Sequence, residues 1–248
     1  MLIDFVAPRD LDLTDLTLPV LILNDGQDLT ALSFFSAIDA GTKKSLIVPF
    51  VTFAIHAADR LHEYGVSGIP DYSDRGSRAH LYHLFLRDEL IGKIFPSCGL
   101  KHKTSLTIMA GCSLGGLSAL DFTWQHPDLV SIVAAFSGSF WWRSKALDDG
   151  YTQADRIMHK RINETPVCPA ISIWLQAGTE DEKTDRVGSG IIDAIADIHD
   201  LMIELKNKGF TAENLVYHEI DKGQHNQETW GKALQVFLAW GFNKISRL

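Results

Sequence analysis

The sequence predicts an α/β sandwich, a mainly parallel central sheet with helices on both faces. Three observations carry that prediction. Short runs rich in Val, Ile and Leu are apolar almost without a break, helical patterns lie between them, and turn residues mark the junctions. A strand with one wet face alternates apolar and polar residues, whereas unbroken apolarity suits a strand covered on both sides.

Taken in order, residues 2–6 (LIDFV) and 19–23 (PVLIL) read as strands, and 29–38 as a helix. The run 46–54 is a third strand, and 78–94 a longer helix. Residues 105–110 form a strand that runs into Gly111-Cys112-Ser113-Leu114-Gly115-Gly116 and then a helix from 117 to 125. Strands 131–136, 171–176 and 215–220 follow, with helices at 190–208 and 227–240. In the first of these two helices Ile191, Ile195, Ile198, Met202 and Leu205 recur at three- or four-residue steps, and Gly209 is placed to end the stripe. Such alternation implies right-handed crossovers and an active site beyond the carboxyl ends of the strands. Residues 65–77 read as an excursion near that rim, and the poorly patterned stretch 140–167 as a cap or a substrate-facing insertion.

No linker, low-complexity tract or repeat divides the 248 residues, so a single domain spanning 1–248 is expected. The net charge of −8 and the lack of any Lys/Arg cluster beyond Lys101-His102-Lys103 argue against a nucleic acid partner. Cys98, Cys112 and Cys168 are odd in number and lack metal-type pairing, so reduced thiols are expected, with no metal and no cofactor. The first residues carry no basic, apolar leader pattern, and no segment reaches the ~18 apolar residues needed to cross a bilayer. A cytoplasmic protein that does not associate with membranes is the expectation; a homo-oligomer is compatible with the composition.

The chemistry centres on Ser113. Gly-x-Ser-x-Gly between a strand and a helix lifts a serine hydroxyl clear of the sheet, and only small neighbours such as Gly111 and Gly115 allow so sharp a turn. A serine needs a base to take its proton and a carboxylate to orient that base, in the chain order Ser, acid, His for this architecture. The loop 177–182 at the end of one strand offers Glu180, Asp181 and Glu182; Asp181 is the choice, with Glu180 or Glu182 as alternatives. The loop 221–226 offers His225. An oxyanion calls for two main-chain N–H donors. Leu114, after the nucleophile, provides one, and Gln27, in the loop 24–28 where Gly26 permits a turn, provides the other. Together these groups describe acyl transfer to a serine, with a small-molecule ester as the partner.

The chain resembles the esterase D family of α/β-hydrolases, within it the branch containing enterochelin esterases. The resemblance rests on residues 19–27, Arg60 with Glu63-Tyr64, Glu89-Leu90-Ile91, Gly111 to Gly116, Ser137 to Trp142, Gly178 to Asp181 and His225. It implies an α/β-hydrolase fold and ester hydrolysis, and supports Gln27 and Asp181 in the roles given above. Some members carry an additional N-terminal domain, for which this chain has no room, so the ester itself is left open. A siderophore-ester hydrolase is one alternative, and a thioesterase or acyltransferase with the same machinery is another. Trp141 and Trp142, after the Ser137-Gly138-Ser139 loop, are candidates to line an acyl or aryl pocket, or to pack beneath that loop. Arg60 is a candidate for holding an acidic substrate group, or for a salt bridge with Glu63. Cys112 is expected to point away from the serine.

Overall fold

The computed structural model describes residues 1–8 and 17–245. Its seven-stranded sheet comprises β1 (Leu2–Val6), β2 (Val20–Asn24), β3 (Val51–His56), β4 (Thr107–Cys112), β5 (Ile132–Phe136), β6 (Ser172–Glu180) and β7 (Leu215–Gln224), in the order β1-β3-β2-β4-β5-β6-β7. All neighbours pair in parallel except β1 with β3, which is antiparallel. This is the α/β-hydrolase fold.

Each central strand feeds two apolar layers, which is why its sequence shows no polar alternation. Val20 and Ile22 of β2 enter one layer while Leu21 and Leu23 enter the other. In β6, Ile173 and Leu175 face one side and Trp174 the opposite side. The first layer is closed by the helices Leu114–Gln125, Ile157–Glu164 and Asp193–Asn207 and by a helix over 79–97 whose middle, Phe85–Ile94, is π-wound. The second is closed by Phe34–Lys43 and Gln227–Ile245.

Several boundaries differ from the sequence expectation for identifiable reasons. The helix expected at 29–38 begins at Phe34, because Ser33 adopts a left-handed backbone (φ 52°) that no α-helix continues through. The strand expected from 46 begins at Val51, after Pro49, which has no N–H for the ladder. The unpatterned stretch 140–167 contains the helix Ile157–Glu164, and β6 and β7 run four residues further than expected. No described helix is long and apolar enough to cross a membrane.

The strand order positions the site. From β2 the chain turns to β3 on one side, then crosses to β4 on the other, so the crevice at the switch lies between the carboxyl ends of β2 and β4. Those ends are Asn24-Asp25 and Cys112-Ser113.

Candidate active site

Ser113 sits at the turn between β4 and the helix Leu114–Gln125 with φ 55° and ψ −121°, a backbone conformation that costs a non-glycine residue roughly 1–3 kcal/mol. The surroundings hold it there. Its N–H donates to the Phe136 carbonyl at 2.8 Å, and its own carbonyl accepts from Gly116, Leu117 and Ser139 at 3.0–3.1 Å. The flanking glycines are required by close approach: a Cβ on Gly111 would lie 2.3 Å from the Gly115 carbonyl oxygen.

His225 and Asp181 reach this serine because β6 and β7 converge at their ends. Gly178 and Gly223 touch backbone to backbone, so that a Cβ on Gly178 would stand 2.2 Å from the Gly223 oxygen. The β6 ladder is irregular between Gly178 and Glu180, and the Lys222 N–H donates to Thr179 Oγ1 at 2.7 Å. The result brings His225 Nε2 to 3.0 Å from Ser113 Oγ and His225 Nδ1 to 3.7 Å from Asp181 Oδ1. The second separation suits an ion pair but is too long for a hydrogen bond. Asp181 is buried, its Oδ2 accepts the Gly178 N–H at 3.2 Å, and its Oδ1 has no hydrogen-bond partner among the described residues. Glu180 is exposed, and Glu182 accepts the Thr184 hydroxyl.

Burial raises the Asp181 carboxyl above the usual range, opposed by the Ser137 hydroxyl, the Gly178 N–H and His225. Burial also lowers the His225 imidazole below its ordinary 6.5, outweighing the Asp181 and Glu182 charges that raise it. With 42% of the His225 side chain exposed, water limits that lowering. The imidazole leans edge-on against Trp230, with centroids 5.0 Å apart, and Trp230 Nε1 donates to Ser137 Oγ at 2.9 Å. The base thus rests on a side chain that is itself anchored.

Gln27 and Leu114 each occupy the first turn of a helix, where N–H groups have no partner within the helix. The turn before Gln27 differs from expectation in one respect. The left-handed residue is Asp25 (φ 60°), while Gly26 is needed for contact, since a Cβ there would lie 2.6 Å from the Ala54 carbonyl oxygen.

Arg60 does not pair with Glu63, whose carboxylate accepts the Ala58 and Asp59 N–H groups instead. Its guanidinium forms a fork on Asp25, with Nε to Oδ1 at 2.9 Å and Nη2 to Oδ2 at 3.1 Å, and Nη2 also donates to the Cys112 carbonyl at 3.0 Å. One side chain therefore ties the Gln27 loop to the strand end below the serine. Asn24 makes a second tie, Nδ2 donating to the Gly115 carbonyl at 2.8 Å while its Oδ1 accepts the Tyr82 hydroxyl. Asp25 N–H donates to the Tyr64 hydroxyl at 3.1 Å. Sequence reasoning missed Asn24, Tyr64 and Tyr82, and also Ser139, whose Oγ lies 3.3 Å from that of Ser113. Asn24, Tyr64 and Ser139 stood within quoted motifs without a role of their own, and Tyr82 lay in the expected helix 78–94.

The adjacent tryptophans separate. Trp142, expected as a lining candidate, is fully buried against Gly65 and Gly76, where a Cβ at either position would lie 2.8 Å from its ring. It packs and does not line a pocket. Trp141 is half-buried and faces a cleft. Cys112 is buried in the second layer, and burial pushes its thiol pKa well up, which leaves it inert.

A serine on a strained turn between strand and helix, with a histidine in hydrogen-bond contact from the last strand's loop, defines the class as an α/β-hydrolase. More particularly, the family model described as "Putative esterase" matches residues 3–240, and the chain belongs to that family. An Iron(III) enterobactin esterase of Escherichia coli strain K12 is 23% identical over 221 residues, 89% of this chain and 48% of that protein. The chain thus spans about half the length of the curated relatives it matches. Among solved structures, an enterobactin esterase from Shigella flexneri superposes with a TM-score of 0.73 at 20% identity, covering 98% of this chain and 56% of that one. A ferulic acid esterase gives 0.67 at 16% identity, covering 93% and 87%.

Proposed function

We propose that the protein is a serine carboxylic-ester hydrolase working through an acyl-enzyme on Ser113. The observation that carries this is the 3.0 Å contact between His225 Nε2 and Ser113 Oγ, on a serine whose backbone strain is held by four main-chain hydrogen bonds. His225 takes the Ser113 proton as Oγ attacks the ester carbonyl. The oxyanion that forms is met by the Gln27 and Leu114 N–H groups, each such donor contributing about 3 kcal/mol to transition-state stabilisation. His225 then protonates the leaving alcohol, and in deacylation draws a proton from water. Asp181 fixes the tautomer that presents a bare Nε2 to the serine. Its unpartnered Oδ1 supports that role, with the 3.7 Å gap closing on formation of the imidazolium. The family, and relatives named for enterobactin and ferulic acid ester hydrolysis, support a carboxylic ester as substrate.

Replacing Ser113 with Ala is expected to abolish hydrolysis of a short p-nitrophenyl ester and labelling by a fluorophosphonate, with an unchanged unfolding midpoint. Residual hydrolysis at the wild-type rate in a folded variant overturns the reading.

A further inference from the structure

A cleft of about 440 Å³ lies beside the groove at Asp181 and His225, and its wall includes Tyr72, Trp141, Arg143 and Glu182. Glu182 also lines the groove that contains Asp181 and His225, so the two depressions share a rim. The chain itself leads from one to the other. Ser139 touches Ser113, Trp142 N–H donates to the Ser139 carbonyl at 3.2 Å, and Arg143 follows four residues after Ser139, at most about 14 Å of chain. Side chains alternate along this segment: Trp142 turns into the core while Trp141 and Arg143 face the cleft.

Three guanidinium groups border this space, and they are not equivalent. Arg75 is forked onto Asp71, with Nε 2.7 Å from Oδ2. Arg186 is held by Asp193 at 3.4 Å and by Asp197. Arg143 has no carboxylate partner among the described residues. One Nη donates weakly to the Trp141 carbonyl at 3.4 Å, and the Nε is buried without an acceptor among the described residues. Its planar group instead lies among rings, 4.9 Å from the Tyr72 centroid, 5.7 Å from Tyr151 and 5.8 Å from Trp141. The acids on the same wall are engaged elsewhere: Asp185 accepts the Ser189 and Gly190 N–H groups, and Glu182 the Thr184 hydroxyl.

A cation flanked by aromatic rings and lacking a counter-ion suits a planar anion carried on an apolar or aromatic body. Carboxylate matches the guanidinium fork, and the rings supply faces for the remainder of the molecule. Resting on the esterase reading above, we propose that Arg143 is a specificity residue, selecting esters that carry a free carboxylate on an aryl group near the scissile bond. The cleft takes the charged end while Ser113 attacks the ester end.

Two isosteric pairs test this, one for each side of the bond. On the acyl side, the monomethyl ester of terephthalic acid is compared with its neutral carbamoyl analogue. On the alcohol side, para-carboxyphenyl acetate is compared with para-carbamoylphenyl acetate. On at least one pair the wild-type enzyme is expected to favour the anion by about tenfold in kcat/KM, a preference that shrinks as salt is raised. Arg143→Gln should bring the preference within about twofold, and Arg143→Lys, which keeps the charge but loses the fork, should retain part of it. Equal turnover within both pairs by wild-type enzyme, or full preference surviving in Arg143→Gln, overturns the assignment of Arg143 and leaves the esterase reading standing. Failure to hydrolyse any of the four esters, with no fluorophosphonate labelling of Ser113, overturns both.

Discussion

The tie between Arg60 and Asp25 gives the sharpest test of how the site is held. Asp25 keeps only 3% of its side chain exposed and sits in a left-handed conformation directly before the Gln27 loop. Burial works against the charge on Arg60, but the Asp25 hydrogen bonds and charge outweigh it, so the guanidinium pKa is held above its ordinary value. In Arg60→Gln the Asp25 carboxylate keeps the Tyr64-bound backbone and the Gln27 Nε2 donor at 3.0 Å, but loses its fork. Breaking a fully buried pair costs about 3–5 kcal/mol. The Arg60 side chain is 34% exposed and water can replace part of it, so a loss of about 2 kcal/mol is expected. Catalysis should suffer separately. If the Gln27 amide drifts from the oxyanion position, kcat on a small neutral ester falls about 100-fold with KM little changed. A double-mutant cycle with Asp25→Ala, read by urea unfolding and by kcat, should give a coupling of about 2 kcal/mol. The rival role, Arg60 as a substrate anchor, raises KM for anionic esters and leaves neutral ones untouched. A cycle with no coupling, together with wild-type kcat on the neutral ester, refutes the tie.

Three further outcomes follow from the same geometry. With His225 in its proposed role as the free base, the pH profile of kcat/KM should show an acid limb with its midpoint below 6.5, because burial lowers the imidazole pKa; activity is lost as pH falls through that value. A limb above 6.5 would contradict the burial argument. Asp181→Asn should lower kcat by about 100-fold or more and move the limb lower still, since it removes a charge that raises the His225 pKa, whereas Glu180→Gln, at an exposed position, should behave as wild type; the reverse ranking would transfer the orienting role. Gly111→Ala should cost about 3 kcal/mol or more in urea unfolding, because the new Cβ meets main-chain atoms of Gly115 at 2.3 Å and 2.4 Å, which cannot swing aside.

How far the sequence could be read depended on whether a feature was written in neighbouring residues. The five central strands, β2 to β6, were legible because burial on both faces leaves an unbroken apolar run, and Leu21 and Ile22 need the same hydrophobicity whichever layer they enter. Ser113 was legible because a strand, Gly-x-Ser-x-Gly and a helix are contiguous. Asp181 and His225 were legible as residues at strand ends, but their meeting depends on the contact of Gly178 with Gly223, 45 residues apart in sequence and written only as two glycines in two loops. The braces around the Gln27 loop were not legible at all. Asn24 to Gly115 and Arg60 to Cys112 join residues 91 and 52 positions apart, and local spacing carries no signal of such pairs. Arg60 was read against Glu63, its helical neighbour, when its partner lay in a different loop.

Trp141 and Trp142 show why residue type alone could not assign the cleft. Identical side chains at adjacent positions went to opposite environments at a turn closed by the Trp142 N–H on the Ser139 carbonyl, after which Arg143 bridges to Arg156. Once Trp142 is fixed in the core by its contacts with Gly65 and Gly76, Trp141 and Arg143 are both directed outward. The glycines at 65 and 76, both at positive φ, therefore determine which residues face the cleft. A side chain at either position would displace the Trp142 ring, rotate the segment and withdraw Arg143 from the cleft, while Ser113 and His225, anchored on β4 and β7, would stay in contact. With Arg143 in its proposed role, selectivity and chemistry rest on separate parts of the scaffold, and a variant at Gly76 should lose the first before the second.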